Sequence, residues 1–328
     1  MRLAKLLVGC WLLVAVASGC AQATPPPTAT PAATGTNTPS AQLGTAQNPI
    51  LLALPPAQVV DSDDIASGQA LAQILETLTG YRVVAVAPTT MTELIEALRT
   101  GNAHIAALDP FALTRAYQIG AVRAAFASTK DGAASYGAQF IARADRFESH
   151  FDPVLGEDIG PAADALGQFA GARACWTESD SPSGYLVPAG MLGWYKISIP
   201  DGAFLQSHFS VVRAVQQGIC DFGATYIDAR EYPPLMDNYP GLMEEVVVVW
   251  QIPAIIPYDG LFLSATLPDA MAANLKAALA QVMDSPLDAP LLNRLFDFEA
   301  WSPVDDDFYV EFTRYLLASP ADLNSLIR

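Results

Sequence analysis

The chain has 328 residues and a formal net charge of −17, with 34 acidic against 17 basic side chains. A chain this acidic lacks the basic stripe that binds a phosphate backbone, so we expect no nucleic-acid partner. Four cysteines and three histidines are scattered along the chain without the spacing of a zinc site, and we expect no metal or cofactor. The body is rich in Ala, Val, Leu and Ile, which suffices for one large or two medium cores.

Residues 1–19 have the pattern of a targeting segment. Arg2 and Lys5 precede an apolar run that is short for a membrane span. The run ends in small residues before Cys20, which resembles a bacterial lipobox. On this interpretation residues 1–19 form a lipoprotein signal peptide, and Cys20 is lipidated. The chain would then be exported and anchored at the outer face of the cytoplasmic membrane. The alternatives are an ordinary signal peptide and an N-terminal anchor helix.

Residues 20–47 are predicted to be a linker. They contain almost no large apolar side chain and no charge, so they cannot bury enough surface to offset the entropy of ordering. Their prolines favour extended conformations, which predicts a semi-stiff tether between the anchor and the body.

The body begins with alternating strands and helices. Short apolar runs predict strands at Pro49–Leu54, Tyr81–Val86 and Ala103–Leu108. Apolar residues at helical spacing predict a helix at Ser67–Thr79, and Thr90 has capping-box spacing to the glutamate three residues later. This β-α-β-α-β order predicts a parallel sheet with helices on both faces, whose ligands lie beyond the carboxyl ends of the strands.

The same order repeats after residue 170. Strands are predicted at Gly171–Thr177, Ala203–Ser207 and Cys220–Tyr226, and helices at Ser183–Tyr195 and Phe209–Gln217. The repeat indicates a second lobe of the same kind.

Extended segments at Ser135–Arg143 and Glu245–Ala265 flank the second unit and are interpreted as two crossings between the lobes. We therefore expect an α/β fold of two doubly wound lobes joined by two crossover strands. The chain would end in first-lobe helices near Pro268–Met283 and Asp306–Leu317. The expected boundaries are residues 48–134 plus 257–328 for lobe 1 and residues 135–256 for lobe 2.

Two cysteines fall in the second unit. Cys10 would leave with the signal peptide and Cys20 would carry the lipid, so Cys175 and Cys220 remain. Two thiols in an exported protein can pair, and two buried free cysteines are the alternative. In a 2-1-3 strand order the strands that carry them are neighbours, which favours a disulfide.

The segment SDSPSGYLVPAGML (179–192) follows a predicted strand and opens a predicted helix. Ser181 and Ser183 are typical N-cap residues, and Gly184 would let a ligand approach the backbone. A helix start with free N–H groups and hydroxyls can hold an anion, but an ordinary N-cap uses the same residues. Pro188 is compatible with this helix only if the helix starts late or is distorted.

A serine nucleophile is a third interpretation of the same segment. It would need Ser183 or Ser181 with His208 as base, and Asp221 or Asp228 as the third member. The Gly-x-Ser-x-Gly pattern is absent, which disfavours a hydrolase.

Four segments resemble, in the same order, segments of the phosphonate, phosphate and phosphite solute-binding proteins of ABC importers. They are SDSPSGYLVPAGML (179–192), KDGAASYGAQFIA (130–142), LQSHFSVVRAVQQGICDFGATYIDA (205–229) and VVWQIPAIIPYDGLFL (248–263). The resemblance extends from about Pro49 to Pro303. It implies the type II periplasmic binding protein fold and a monomer without catalytic activity that captures a small anion and delivers it to an ABC permease. The same fold as the sensing module of a signalling system is the alternative.

The resemblance also implies roles for single residues. Ser181, Ser183, Gly184 and nearby N–H groups would hold the oxyanion, and His208 would donate to it. Asp228 and Asp259 fall where aminoalkyl-phosphonate binders keep carboxylates for an ammonium group. Tyr136 and Tyr258 would line the cleft near the crossings. Purely structural roles are the alternatives: His208 as a hydrogen-bonding residue at a strand end, and the two aspartates as turn or cap residues.

The resemblance is weaker in two places. Pro182 stands where the family often has threonine, which removes one hydroxyl and one N–H donor. In the first lobe, Leu54–Gln58 and Leu108–Leu113 replace more polar or aromatic segments, and Thr89 and Thr90 replace an acidic–aromatic pair. The ligand class has therefore drifted, or the first lobe clamps the ligand through its backbone and the two threonines.

Overall fold

A computed structural model describes residues 42–56, 61–298 and 300–327. The predicted signal peptide, Cys20 and nearly all of the linker lie outside these ranges. Within them the strands are β1 (Ile50–Ala53), β2 (Val83–Val86), β3 (Ile105–Leu108), β4 (Val122–Thr129), β5 (Ser135–Arg143), β6 (Phe151–Asp152), β7 (Glu157–Asp158), β8 (Ala174–Trp176), β9 (Ala203–Phe204), β10 (Phe222–Tyr226), β11 (Val246–Pro257), β12 (Gly260–Ser264) and β13 (Ala300–Pro303).

The α-helices of the same ranges vary widely in length. They are α1 (Ser62–Thr79), α2 (Met91–Thr100), α3 (Pro110–Gln118), α4 (Ala162–Gly167), α5 (Val187–Trp194), α6 (His208–Gln216), α7 (Pro233–Asn238), α8 (Leu242–Glu245), α9 (Asp269–Asp284), α10 (Ala289–Phe296), α11 (Val310–Ala318) and α12 (Leu323–Leu326). No helix in the described ranges combines the length and the apolar character needed to cross a membrane.

The first sheet has the strand order β13-β4-β12-β3-β1-β2. Strand β1 pairs in parallel with β2 and with β3, as the β-α-β-α-β pattern predicted. Strands β12 and β13 return from later in the chain and pair antiparallel. One face buries Leu71 and Leu75 of α1 against α9 and α10, and the other buries Leu94 and Leu98 of α2 together with α3. The sheet is thus covered on both faces, and we call it with its helices the first lobe.

Helix α1 begins five residues earlier than its apolar spacing predicted. Asp61 caps it by accepting hydrogen bonds from the N–H groups of Asp63 and Asp64, and the Asp64 side chain accepts from the Asp61 N–H. This capping box satisfies N–H groups that would otherwise be exposed at the helix start. It therefore extends the helix by more than a turn beyond its apolar face.

The second sheet has the order β11-β5-β10-β8-β9 and, with its helices, is called the second lobe. Strand β8 lies between its parallel partners β9 and β10, so this lobe repeats the 2-1-3 order of the first. One face buries Met191 of α5 and Leu186 directly before that helix, and the other buries Val211 and Val215 of α6. The predicted α/β fold of two doubly wound lobes is confirmed.

Cys175 and Cys220 are joined by a disulfide between neighbouring strands of the second lobe. Their Cα atoms lie 5.8 Å apart, within the usual range for a disulfide. Both residues are buried in the cluster that packs under α6, so the bond ties β8 to the start of β10 inside the core.

The chain crosses between the sheets at two adjacent places. The first crossing runs from the end of β4 at Thr129 to the start of β5 at Ser135, and the second runs from Pro257 at the end of β11 to Gly260 at the start of β12. The first crossing was expected within Ser135–Arg143, but that segment is β5 of the second sheet and the chain crosses in the turn just before it. The second crossing lies within Glu245–Ala265, as expected, although this segment is split between two strands.

Helix α11 departs from the expected domain plan. The sequence assigned residues 257–328 to the first lobe, but α11 packs against α5 of the second lobe. The contact is close, because a Cβ atom on Gly190 would lie 1.8 Å from the carbonyl oxygen of Tyr315. Phe312 and Leu316 of α11 are buried in the second-lobe core. The end of the chain therefore completes the core of the other lobe.

Candidate functional site: a cleft at the two crossings

A cleft of about 780 Å³ opens where the two crossings meet. Residues of both lobes line it. They are Pro110, Lys130, Asp131, Tyr136, Gly137, Pro182, Ser183, His208, Tyr226, Ile227, Pro257, Tyr258 and Asp259. Of the residues selected from the sequence, the cleft brings together Ser183, His208, Asp259, Tyr136 and Tyr258.

The two crossings are tied to each other beside the cleft. The rings of Tyr136 and Tyr258 stack with their centroids 5.3 Å apart. The Tyr258 N–H donates to the Ala134 carbonyl oxygen at 3.4 Å, and the Ser128 N–H donates to the Asp259 carbonyl oxygen at 2.9 Å. Burial, helped by the neighbouring Tyr258 and opposed by a hydrogen bond with the Ser183 side chain, raises the pKa of Tyr136 to about 12. The Tyr136 phenol therefore keeps its proton and is available as a hydrogen-bond donor.

The loop that begins at Ser181 enters its helix through a wide turn. A π-helical turn at Pro182–Leu186 precedes α5. In this turn the Leu186 N–H donates to the Ser181 carbonyl oxygen at 2.9 Å, five residues back. Pro188 falls in the first turn of α5, where its missing N–H costs little. The helix thus starts late and distorted, as the proline required.

Ser181 and Gly184 stabilise the shape of this loop through a hydrogen bond and close packing. The Ser181 hydroxyl accepts the Gly184 N–H at 3.1 Å, so the N-cap occupies one N–H group expected to face an anion. Gly184 is buried against the strand, because a Cβ atom there would lie 1.9 Å from the Thr177 hydroxyl oxygen. Neither residue lines the cleft, whereas the side chain of Ser183 between them does.

His208 begins α6 and presents its ring to the cleft. Its Nδ1 accepts the backbone N–H of Tyr226 at 3.2 Å. The Tyr226 ring also packs against the imidazole edge to face, with centroids 4.7 Å apart. Burial lowers the pKa of His208, although Glu178 opposes this effect. A neutral imidazole that accepts at Nδ1 carries its proton on Nε2, so His208 offers one N–H donor.

Asp259 lies at the second crossing, on the first-lobe side of the cleft. Burial, together with the nearby charge of Asp109, raises the pKa of Asp259 to about 7. Asp109 caps α3, where its carboxylate accepts the N–H groups of Phe111 at 2.7 Å and Ala112 at 2.9 Å. The first-lobe side therefore contains two neighbouring carboxyl groups.

Lys130 and Asp131 form a tight turn at the first crossing. Lys130 and Ala133 exchange backbone hydrogen bonds of 2.9 and 3.0 Å. Asp131 and Gly132 both have positive φ angles, of 51° and 79°, as this kind of turn requires. Lys130 is exposed, and it is the one basic side chain among the described residues that line the cleft.

Three other residues selected from the sequence lie away from this cleft. Asp228 is exposed, has a φ of 67°, and precedes a short 3-10 turn. Thr90 caps α2 by accepting the Glu93 N–H at 3.2 Å. Thr89 is exposed, and its N–H donates to the Glu93 side chain. Both threonines thus serve the start of a first-lobe helix.

Sequence reasoning did not select Lys130, Asp131, Pro110, Tyr226 or Ile227 as cleft residues. The Asp131–Gly132 pair directly before β5 is a turn signal that could have marked the first crossing. Tyr226 is the last residue of β10, the carboxyl end where ligands of parallel sheets lie.

Two α/β lobes with a polar cleft at paired crossings define a solute-binding protein of the type II class. The chain belongs to the family described as ABC transporter, phosphonate, periplasmic substrate-binding protein, whose family model matches residues 59–309. Members of this family work outside the cytoplasmic membrane, and this chain is therefore an extracytoplasmic binding protein.

Individual proteins are also similar to this chain. The phosphate-import protein PhnD of Mycolicibacterium smegmatis is 30% identical over 191 residues, which is 54% of this chain and 54% of that protein. The chain thus matches about half the length of this curated relative. PhnD1 of Prochlorococcus marinus, solved with methylphosphonate, is 15% identical and covers 83% of this chain and 100% of its own, with a TM-score of 0.40. Transferrin 1 of Manduca sexta is 9% identical over 82% of this chain and 46% of its own, and its TM-score of 0.52 reflects the fold alone.

Proposed function

We propose that the cleft captures a small oxyanion of the phosphate, phosphite or phosphonate type and that the protein delivers it to an ABC permease. The observation that carries this proposal is the convergence of three neutral donors on one cleft, namely the Ser183 hydroxyl, the His208 Nε2–H group and the Tyr136 phenol. Neutral donors stabilise an oxyanion through charge-assisted hydrogen bonds. Pro182 at the start of the loop removes one N–H group, which leaves more of the recognition to side chains.

The positions of the aspartates favour a simple oxyanion over an aminoalkyl phosphonate. An ammonium group is best held by more than one carboxylate, and Asp228 is exposed outside the cleft. Asp109 already accepts two backbone N–H groups. The other carboxylate that lines the cleft with Asp259 is Asp131, which is exposed in the turn of the first crossing and so offers an ammonium group only a solvent-screened partner.

We further propose that the cleft binds its ligand without chemical conversion. In a serine–histidine–aspartate triad, the histidine Nδ1–H group donates to the carboxylate. Here Nδ1 of His208 is an acceptor for the Tyr226 N–H, which is the opposite arrangement. Asp221, one candidate for the third residue, is instead bound to Arg173 and Arg146.

A panel of anions tests the binding function directly. Phosphate, phosphite, methylphosphonate, aminoethylphosphonate and sulfate are added to residues 42–328, and the unfolding midpoint and calorimetric heat are measured. A ligand that binds only the folded state raises the midpoint. We expect one or more simple phosphorus oxyanions to bind with one site per chain, unchanged after incubation. A protein that binds none of them at millimolar concentration, or that converts one of them, contradicts the proposal.

The site of action is a separate part of the proposal. We propose that residues 1–19 are removed, that a lipid on Cys20 anchors a monomer to the membrane, and that the permease is its partner. The small residues before Cys20 support the anchor. Cys20→Ala should release the protein from the membrane fraction, whereas Cys10→Ala should leave the mature protein unchanged. Loaded protein should stimulate ATP hydrolysis by the reconstituted permease, and stimulation of a histidine kinase instead would indicate a sensor.

A further inference from the structure

Asp259 lies beside a second carboxyl-bearing residue at the first-lobe edge of the cleft. It directly precedes β12, and the antiparallel register pairs Gly260 with Leu108 at the end of β3. The next position outward sets Asp259 opposite Asp109. The two carboxyl-bearing residues thus stand side by side where a strand of the first lobe meets a crossing, and Pro110 beside them lines the cleft.

Asp109 and Asp259 have unequal surroundings. Burial raises the pKa of Asp109, but its carboxylate accepts two backbone N–H groups at the start of α3, and these bonds oppose the effect by favouring the charged form. The Asp259 carboxyl group faces the cleft and accepts no hydrogen bond from the described residues, although its backbone oxygen is occupied by Ser128. Since two adjacent carboxylates repel each other, one of them retains a proton more readily, and the one without N–H donors is Asp259.

A buried phenol adds an independent observation. Tyr309 is 1% exposed, and its hydroxyl has no hydrogen-bond partner among the described residues. A Cβ atom on Gly260 would lie 2.5 Å from this oxygen, so the phenol reaches the strand beside Asp259. Burial, followed by the charge of Asp259, raises the pKa of Tyr309, so the phenol stays neutral. A neutral phenol carries no net charge, so Tyr309 neither adds to nor offsets the negative charge of an ionised Asp259.

Few other groups bear on this carboxyl group. The titratable side chains of the described residues that share the cleft with it or pack beside it are Asp109, Lys130, Asp131, Tyr136, His208, Tyr226, Tyr258 and Tyr309. The tyrosines and His208 are neutral near pH 7, and Lys130 and Asp131 are exposed to solvent, which screens their opposite charges. Burial and the charge of Asp109 thus determine the ionisation of Asp259.

We propose that Asp259 meets the bound oxyanion as a neutral carboxylic acid and donates its own proton to an anion oxygen. This inference rests on the proposed function. The proton stays on Asp259 in an O–H···O⁻ hydrogen bond, so no covalent bond forms or breaks. Asp259 then supplies the first-lobe donor that matches Ser183 and His208 across the cleft. An ionised Asp259 would instead repel the anion and attract a cation.

The test compares the wild type with Asp259→Asn, which is neutral at every pH and keeps a donor of similar size. Phosphate and methylphosphonate are titrated into both proteins at pH 6 and pH 8, and the ratio of the two dissociation constants is taken at each pH. The ratio cancels the titration of the ligand itself. With a carboxyl pKa of about 7, the wild type must take up a proton at pH 8 but not at pH 6. We therefore expect the wild-type to variant ratio to rise about tenfold between these pH values.

Two results would overturn the inference. One is loss of anion binding in Asp259→Asn at both pH values, which indicates that the carboxylate itself is required. The other is a ratio that does not change with pH. Asp228→Asn is the matched control, because Asp228 is exposed outside the cleft and its ratio should stay near one. A wild type that binds neither anion would refute the proposed function instead.

A measurement on the wild type alone covers the case in which Asp259→Asn fails to fold. Calorimetry in two buffers of different ionisation enthalpy gives the number of protons exchanged when phosphate binds. The phosphorus NMR shift of bound phosphate gives the protonation state of the ligand, and the remaining proton exchange belongs to the protein. At pH 8 we expect this remainder to be an uptake close to one proton, and at pH 6 a much smaller uptake. No uptake at pH 8, or a release of protons, overturns the inference.

Discussion

The two lobes share a 2-1-3 strand order, but they bring different chemistry to the cleft. The second lobe contributes neutral donors, Ser183 and His208, on helices that begin at the carboxyl ends of its strands. The first lobe contributes the Asp259 carboxyl group, with Asp109 behind it at the start of α3 and Lys130 at the first crossing. In the proposed binding mode, the same topology provides neutral donors on one side and a protonated acid on the other. The loops, rather than the strand order, set the chemistry of each half.

The second-lobe half is tested most strongly by its two donors. Ser183→Ala and His208→Ala each remove a hydrogen bond to a charged group, which should weaken anion binding by about 1–3 kcal/mol. This corresponds to roughly a 5- to 150-fold rise in dissociation constant by calorimetry. Ser179→Ala is the control, since Ser179 is exposed two residues before the loop. Unchanged affinity in both variants would remove the second lobe from the site.

Two aspartates, one in each lobe, should contribute to the free energy of unfolding with opposite dependence on pH. Hydrogen bonds from Arg173, partly opposed by burial and assisted by Arg146, lower the pKa of Asp221. Its stabilising contribution is present above the usual aspartate pKa of about 4 and is lost as the pH falls below it. Asp221→Asn should therefore cost about 1–3 kcal/mol at pH 7 and progressively less in acid.

The pKa of Asp259 is raised to about 7, so its contribution to stability depends on pH in the opposite direction to that of Asp221. Its contribution to stability is present below the unfolded-state pKa and is lost as the pH rises through 7. Without ligand, Asp259→Asn should be more stable than the wild type at pH 8, by about 2–4 °C in unfolding midpoint for each kcal/mol, and equal to it near pH 4. Parallel pH profiles for the Asp221 and Asp259 variants would contradict the contrast between the lobes.

The shape of the second-lobe loop depends on Gly184. A methyl group there would collide with the Thr177 side chain, and overpacking of this kind costs about 1–3 kcal/mol. We expect Gly184→Ala to lower the denaturation midpoint and to weaken anion binding, because Ser183 would move. Gly167→Ala is the control, since nothing lies within 4 Å of its Cβ position. Normal stability in Gly184→Ala would show that the loop adapts freely.

The smallest effect is expected from Lys130 in the first crossing. It is exposed, so Lys130→Gln should weaken anion binding by only about 0.2–1 kcal/mol, and added salt should abolish the difference. Titration at low and high ionic strength measures this. A large, salt-independent loss would mean that Lys130 contacts the anion directly and that the first lobe also provides a cation.

The sequence predicted the parallel core of each lobe, because short apolar runs and helical spacing are local signals. It did not predict that α11 packs on the second lobe. That contact depends on Gly190 meeting the backbone of Tyr315, far away in the chain. The sequence also did not predict that the second crossing is split into β11 and β12, because the apolar residues run through both strands almost without interruption.

The candidate site was predictable to a similar extent. Ser183 and His208 lie in helix starts that a local motif reveals. The pairing of Asp109 with Asp259 follows from the register of β12 against β3, which no local pattern encodes. The resemblance placed Thr89 and Thr90 at a family position near the ligand, whereas the spacing of Thr90 to Glu93 predicted a helix cap, and the structure shows the cap. Register between distant strands thus accounts for most of what the sequence left undetermined.

Helix α11 has a consequence for the order of folding. The second-lobe core contains Phe312, Tyr315 and Leu316, and the first sheet is completed only by β12 and β13. Neither core can therefore close until residues beyond 300 have joined it. Contacts this distant in sequence slow folding, because the entropy cost of closing long loops arises before the stabilising contacts form. For an extracytoplasmic chain of this design, we therefore expect that neither half reaches its stable form until almost the whole chain has crossed the membrane.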